Sequence, residues 1–332
     1  MDFREAFFSA VTDSTSPFAG QIREWCTAML KAQIPNKPEL WDKLTPNYSP
    51  GCKRVIITDD YYPAIADSKT TLETSKIRRV TETGVEIEDE NGDTKHHEHD
   101  MLVLATGFRT VEFLYPMQVT GTNARPLSDI WQDGASALYG TTVPSLPNFG
   151  MFYGPNTNLG HNSIVLMIEA QSRYLNTLVS AVLDAKSRGS PIGIMPKESK
   201  TSAFNDKIQQ VLAKSSFADP NCGSWYKNKD GKITNNWSGT VVEYQKVLSK
   251  VDWEDFEIAG DEAGAREGEV RSASKVVFGH GKKETRIGRV KEEIAISNAG
   301  LLMGAASVVA LGAAWVWRGK LPMRLRIGSS AR

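Results

Sequence analysis

Apolar residues recur at helical spacing in three parts of the first 260 residues. The first part predicts a short amphipathic helix over residues 22–32, which Pro35 and Pro38 would end because proline cannot continue a helix. The other two parts predict longer helices over residues 164–188 and 197–213.

Short apolar runs between turn residues predict β-strands among these helices. Residues 101–105 form a continuous apolar run, which is typical of a parallel strand covered on both faces. Asn91-Gly92 predicts a hairpin turn, and a second hairpin is predicted around Asp230-Gly231. The hairpin at Asp230-Gly231 would join residues 225–227 to 232–235, and the other predicted strands are 54–58, 76–80, 84–88 and 148–153. This mixture of strands and helices indicates an α/β fold.

A polar loop over residues 154–163, Gly-Pro-Asn-Thr-Asn-Leu-Gly-His-Asn-Ser, separates the predicted strand 148–153 from the predicted helix 164–188. Asn162 or Ser163 would be the N-cap of that helix. A helix N-terminus leaves backbone N–H groups unpaired, so it offers a site for a phosphate or for the pyrimidine edge of a flavin. An ordinary capped helix has the same features, and the loop alone does not decide between the two interpretations.

Two further motifs carry the resemblance to a known family. Residues 51–64 read Gly-Cys-Lys-Arg-Val-Ile-Ile-Thr-Asp-Asp-Tyr-Tyr-Pro-Ala, and residues 100–108 read Asp-Met-Leu-Val-Leu-Ala-Thr-Gly-Phe. Together with the loop 154–163, their order and spacing resemble those of the class B flavoprotein monooxygenases of the Baeyer–Villiger type. The resemblance extends from about residue 40 to about residue 257 and includes the later Ser224-Trp225-Tyr226-Lys227.

Members of that family carry one dinucleotide-binding fold for FAD and another for NADPH, each opening on a G-x-G-x-x-G turn. The sequence contains no such fingerprint. The resemblance therefore implies the C-terminal half of a monooxygenase, with an incomplete doubly wound sheet whose apolar faces and edges would be exposed. The implied segments are a remnant of the helical substrate domain (1–47) and the C-terminal parts of the NADPH-binding domain (48–110) and of the FAD-binding domain (111–258).

The resemblance also implies the reaction and its main residues. NADPH would reduce FAD, the reduced flavin would react with O2, and oxygen would enter next to a ketone to give an ester or lactone. Specialised metabolism is one setting for such a reaction. By motif match, Arg54 would hold a permanent positive charge beside the reacting oxygen, and Lys53 would bind the 2′-phosphate of NADPH. The alternative for this pair is two solvated basic residues at the start of a strand.

Four more residues are candidate cofactor-binding positions by the same match. Gly107 would let the backbone approach a bound dinucleotide, or would only form a turn. Asn162, Ser163 and Ile164 would present N–H groups to the flavin ring, and simple capping is the alternative. A second hypothesis for the whole chain is a cofactor-free, membrane-tethered remnant or interaction module without catalytic activity.

Charge and cysteine content exclude some classes of protein. Lys plus Arg and Asp plus Glu both number 39, so the net charge is zero and no basic surface calls for nucleic acid. The three cysteines, Cys26, Cys52 and Cys222, have no C-x-x-C spacing. They predict neither a disulfide framework nor a zinc site, and they favour a reducing compartment.

A group of metal-ligating residue types stands just before the apolar run 101–105: His96, His97, Glu98, His99 and Asp100. Their polar, hairpin-like surroundings favour a solvated strand edge over a metal site.

The C-terminal region has a different pattern. Residues 294–317 are 24 positions without a charged residue, and a helix of that length would be about 36 Å long, enough to cross a membrane. Trp315 and Trp317 stand at its end, before a basic tail over residues 318–332, and residues 259–293 are typical of a flexible linker. We expect a single-pass C-terminal anchor with the bulk of the chain in the cytosol; a buried helix of a soluble domain is the alternative. Gly300 and Gly304 form a G-x-x-x-G step that would allow two such helices to pair as a dimer.

Overall fold

The computed structural model describes residues 8, 12–54, 56, 58–160, 162–259, 271–272 and 283–289. The chain divides into two units, Met1–Arg289 and Val290–Arg332, and every described residue belongs to the first. The predicted membrane-spanning helix and the basic tail lie outside the described residues. In the described part of the chain, no helix is both long enough and apolar enough to span a membrane.

The N-terminal helix is longer than the sequence pattern predicts. Helix α1 spans Pro17–Gln33, five residues more at its start than expected. Ser16 is its N-cap, with a side-chain oxygen that accepts a hydrogen bond from the Ala19 N–H at 3.1 Å, and Pro17 occupies the first helical position. The apolar periodicity covers only the part of the helix that packs, and the Ser-Pro pair sets the true start.

The two long predicted helices are confirmed within one residue at each end. They are Ile164–Ser187 and Glu198–Leu212. The first buries one face, including Met167, Gln171 and Tyr174, and contacts the later helix Val241–Val247 and the strands Gly193–Pro196 and Lys250–Asp252. Numbered in chain order after α1, the helices are α2 (Trp41–Leu44), α3 (Tyr61–Ala66), α4 (Leu127–Ile130), α5 (Ile164–Ser187), α6 (Glu198–Leu212) and α7 (Val241–Val247).

The described strands form three small sheets, and every strand pair in them is antiparallel. The strands are β1 (Lys76–Val80), β2 (Gly84–Glu88), β3 (Thr94–Glu98), β4 (Gly193–Pro196), β5 (Lys250–Asp252), β6 (Phe256–Ala259), β7 (Arg271–Ser272) and β8 (Glu284–Arg286). The sheets have the orders β1-β2-β3, β4-β6-β7 and β5-β8. The mixture of helices and strands predicted from the sequence is therefore confirmed, but the described residues do not form a doubly wound parallel sheet.

The first sheet follows the prediction closely. Strands β1 and β2 have the predicted bounds, and the predicted Asn91-Gly92 turn leads from β2 into β3. Gly92 has a φ of 86°, in the left-handed region that glycine adopts without strain. His96 and His97 lie on β3, whose side chains are mostly exposed, and the described residues contain no group of three or more His, Cys, Asp or Glu that could hold a metal.

The prediction of a covered parallel strand at residues 101–105 is wrong. These residues belong to no strand, and Met101, Val103 and Leu104 are 79%, 77% and 75% exposed. A parallel strand needs neighbouring strands on its edges and helices on both faces, and the described residues place none there. The exposed apolar run agrees with the expectation that a sheet without its central strands leaves apolar faces uncovered.

Two other predicted strands are also absent. Residues 54, 56 and 58, the described positions of the predicted strand 54–58, are not in strand conformation. Residues 148–153 form no strand: Asn148 lies in a turn, residues 152 and 153 form a bend, and Asn148 and Tyr153 have φ values of 58° and 54°, which interrupt an extended chain. The predicted hairpin around Asp230-Gly231 is present only as a single antiparallel bridge between Lys227 and Ile233.

Candidate functional site

The loop that precedes helix α5 is held by buried asparagine side chains. The Asn156 amide donates to the backbone oxygens of Ile233 and Asn236, both at 2.9 Å. The Asn158 amide donates to the Asn236 side-chain oxygen at 2.8 Å, and the same two residues form a parallel bridge. The loop is therefore attached at Asn156 and Asn158 to residues 233–236, which restrains its backbone.

Glycines allow this loop to pack so closely. Gly140 has a φ of 68°, and a Cβ there would overlap the side chain of Thr157. A Cβ at Gly154 would overlap the Gly140 carbonyl oxygen. Neither position accepts a side chain without moving the loop, so the glycines determine where the start of α5 lies.

The start of α5 offers backbone donors. Ser163 is the N-cap, as one of the two predicted alternatives has it, but its side chain accepts no hydrogen bond from the first turn. The Ser163 N–H donates to the Asn162 side-chain oxygen at 2.7 Å. Asn162, Ser163 and Ile164 are all partly exposed. The first N–H groups of the helix are therefore not capped by Ser163 and can face a bound electron-rich group.

Arg54 stands about 100 residues before this loop in sequence, and its charge acts on two tyrosines that adjoin the loop. Burial raises the pKa of Tyr153 and of Tyr226, and the positive charge of Arg54 acts in the opposite direction on the pKa of each. The Tyr153 hydroxyl in turn donates to the Asn158 side-chain oxygen at 2.6 Å. Tyr153 and Tyr226, which both adjoin the loop, therefore experience the permanent positive charge of Arg54.

For Lys53 and Gly107, the other two predicted cofactor-binding residues, the structure shows no contact with the loop before α5 among the described residues. The Lys53 ammonium lies over the ring of Tyr48 at 5.1 Å, and its side chain is exposed. Gly107 has a φ of 83°, the left-handed conformation that a turn requires, and no described atom lies within 4 Å of its Cβ position. The described residues do not bring Gly107 against the loop 154–160.

Sequence reasoning missed the residues that hold the site together. Tyr153, Asn156, Asn158 and Asn236 are not among the predicted site residues, yet they fix the loop on which the prediction depends. The signal for them was present as a concentration of asparagine at positions 156, 158, 235 and 236. Buried asparagines in irregular segments commonly satisfy backbone groups that no helix or strand satisfies.

The cysteine prediction is also corrected. Cys52 and Cys222 form a disulfide, with Cα atoms 6.4 Å apart, and Cys26 is free and exposed. The two half-cystines are 170 residues apart in sequence, so their spacing gives no sign of the pairing. The disulfide joins the segment that carries Lys53 and Arg54 to the segment that carries Tyr226.

Comparisons with known proteins agree with these features. No family model matches the chain. The chain is 48% identical over 336 residues to the FAD-binding monooxygenase ktnD of Aspergillus niger, a match that covers 99% of the chain and 52% of that protein. It is 33% identical over 241 residues to a Baeyer–Villiger monooxygenase of Pseudomonas aeruginosa, with 72% of the chain and 44% of that protein covered. The chain belongs to the Baeyer–Villiger flavoprotein monooxygenase family. The resemblance inferred from the three motifs is confirmed.

A solved structure shares the fold. The crystal structure of OTEMO in complex with FAD and NADP superposes with a TM-score of 0.62 at 20% identity, over 73% of this chain and 44% of that one. The chain spans about half the length of the curated relatives it matches.

The residues present fit one part of a flavin site. The uncapped start of α5, the rigid loop before it and the nearby Arg54 cation suit an electron-rich ring edge that becomes negatively charged. The sequence holds no G-x-G-x-x-G turn to bind a pyrophosphate. The fit is therefore to the ring end of the cofactor and not to its pyrophosphate.

Proposed function

We propose that this chain acts as the C-terminal half of an FAD- and NADPH-dependent monooxygenase of the Baeyer–Villiger type. The substrate would be a small carbonyl compound of specialised metabolism, into which one oxygen atom of O2 is inserted. The observation that carries the proposal is the Cys52–Cys222 disulfide, because it joins the motif that contains Lys53 and Arg54 to the motif at residues 224–227, and the two meet only in the folded chain.

The chain's own residues would have distinct tasks. Arg54 would stabilise the negative charge that develops on oxygen as it is transferred, because a guanidinium stays protonated at every working pH. Lys53, on the exposed side of the same segment, would bind the 2′-phosphate that distinguishes NADPH from NADH. The Ile164 N–H would orient the flavin ring, and Asn162, whose side-chain oxygen accepts from the Ser163 N–H, would fix the start of α5. When bound, FAD and NADPH would supply the redox chemistry.

A complementation assay tests this function. The chain would be co-expressed with the part of the Aspergillus niger ktnD protein that it does not match, and the purified pair incubated with NADPH, 18O2 and a panel of ketones. We expect an ester or lactone product that carries one 18O atom, formed only when both polypeptides are present. A folded, associated pair that binds no flavin and oxidises no NADPH would contradict the proposal and favour the cofactor-free remnant.

We further propose that residues 294–317 anchor the chain in a membrane, with the bulk of the protein in the cytosol. The support is the sequence alone: 24 positions without charge, an aromatic pair at the end and basic residues directly after it. Full-length protein should stay with membranes after alkaline carbonate extraction, and a chain that ends at Gly260 should not. Full-length protein that remains in the high-speed supernatant without aggregating would contradict the anchor.

A further inference from the structure

Two segments that are distant in sequence are joined directly beside Arg54. The Ser49 N–H and hydroxyl both donate to one carboxylate oxygen of Asp219, at 2.7 and 2.8 Å. Three residues after each of these, Cys52 and Cys222 form the disulfide. We call these contacts the junction. It combines a disulfide with two hydrogen bonds to one carboxylate oxygen, and it fixes residues 49–52 against residues 219–222.

The junction is buried and leads into the site on both sides. Cys52 is 0% exposed and Cys222 is 1% exposed. Arg54 stands two residues after Cys52, and Tyr226, which feels the charge of Arg54, stands four residues after Cys222. Arg54 itself is exposed and follows no helix or strand that would hold its backbone. The disulfide is the nearest covalent restraint on its position.

We propose that the Cys52–Cys222 disulfide is a tether that holds Arg54 beside the segment of Tyr226, which continues into residues 233–236 and their hydrogen bonds to the loop before α5. The two cysteines are positioning residues, since neither would contact substrate or cofactor. The existence of the tether stands on this chain's geometry, and its consequence for oxygen transfer rests on the proposed function.

The chemistry of the tether balances with simple reagents. In the forming direction a hydroperoxide is the oxidant: one thiolate attacks a peroxide oxygen to give a sulfenic acid, and the second thiolate displaces water from that sulfur. The net change with hydrogen peroxide is two thiols converted to one disulfide and two waters. In the opening direction a dithiol donates two electrons and two protons, and becomes a cyclic disulfide.

Opening the tether should not unfold the protein. Reduced cysteines behave as small buried apolar residues, and the Ser49–Asp219 hydrogen bonds remain. What is lost is the restraint between the two segments. Local opening of residues 49–54 then becomes more frequent, and Arg54 samples positions away from the loop.

The first experiment uses the full-length chain. Mass spectrometry after alkylation without reductant should recover a peptide pair that contains Cys52 joined to Cys222, with Cys26 alkylated. Hydrogen exchange of the Ser49 and Cys52 amides, which are bonded to Asp219 and to the Ser49 carbonyl, should be about tenfold faster after reduction by a dithiol. The matched control Cys26→Ser should respond to reductant as the wild type does.

A double variant, Cys52→Ser with Cys222→Ser, should exchange fast with or without reductant. If it fails to fold, reduction of the wild-type chain still gives the comparison. Three free thiols in the folded, oxidised chain would overturn the tether, and so would a disulfide whose reduction leaves both amides unchanged.

The second experiment uses the complemented pair described above. Reduction should raise the fraction of NADPH consumed without oxygenated product in the wild type and in Cys26→Ser, and leave it unchanged in the double variant. An unchanged fraction in the wild type would overturn the positioning role. Absence of any oxygenation by the oxidised wild type would instead be a failure of the proposed function, which the exchange measurement does not depend on.

Discussion

Arg54 shows both what a motif can predict and what it cannot. Its role follows from a match to a family motif, because nothing in the local pattern distinguishes Lys53-Arg54 from two solvated basic residues. Its proximity to Tyr153 and Tyr226 follows only from the fold. The asparagines that hold the loop escaped prediction because side-chain to backbone hydrogen bonds in irregular segments leave no periodic pattern.

Replacing Arg54 with alanine in the complemented enzyme should leave the flavin bound and reducible by NADPH while oxygen transfer falls. Loss of one such electrostatic contact typically costs about 10²–10³ in rate. Product formation and NADPH consumption measured together would show the separation, with the exposed Arg109→Ala as the matched control. An Arg54→Ala enzyme that forms product at the wild-type rate would remove Arg54 from the site.

Replacing Lys53 with alanine should change the preference between the two nicotinamide cofactors. A hydrogen bond to a charged group contributes about 1.5–3 kcal/mol, so the KM for NADPH should rise roughly ten- to a hundredfold. The KM for NADH should stay nearly constant, because NADH has no 2′-phosphate. Steady-state kinetics with both cofactors test this. Equal changes in the two KM values would show that Lys53 does not bind the 2′-phosphate and is a solvated surface residue.

At the level of elements, the long helices were predictable and several strands were not. Helices α5 and α6 carry 3.6-residue periodicity over four or more turns, and that signal survives in any packing. Residues 148–153 and 101–105 are short apolar runs without periodicity, and such runs become strands only where a neighbouring strand pairs with them. Strands β1 and β2 were predictable because their partner is local, across a turn.

The close packing of the loop before α5 predicts a contrast between two glycines. Gly140→Ala should lower the free energy of unfolding by about 2–4 kcal/mol, since the residue is in the left-handed region and its Cβ would overlap Thr157. Gly20→Ala, inside α1 with open space around its Cβ position, should raise it by up to about 1 kcal/mol. Denaturant titration of the two variants measures both. A Gly140→Ala protein as stable as wild type would mean that the loop is not tightly packed.

On the scale of the whole molecule, the α/β mixture was predictable and the arrangement of the sheets was not. The described strands form antiparallel pairs, and the apolar run 101–104 is exposed. The matches cover 52% and 44% of the two relatives. We therefore expect that a polypeptide resembling the unmatched part of those relatives packs on residues 101–104 and covers them.

That expectation gives a test at the surface. Val103→Asp should change the free energy of unfolding of the isolated chain by no more than about 0.5 kcal/mol, because the side chain is already 77% exposed. The same change should prevent association with the complementary half of ktnD, since it would bury a charge. Val80→Asp, on the exposed strand β1, is the matched control and should associate normally. Unimpaired association of the Val103→Asp chain would show that this run is not part of the contact.

Flavin stoichiometry tests the central claim most directly. The purified chain and the chain co-purified with the unmatched part of ktnD would each be measured for FAD absorbance per polypeptide. The chain alone should be colourless, because it has no pyrophosphate-binding turn, and the pair should carry one FAD per complex. A stable pair without flavin, or a chain that holds stoichiometric FAD by itself, would contradict the assignment of this chain as the flavin-facing C-terminal half of a Baeyer–Villiger monooxygenase.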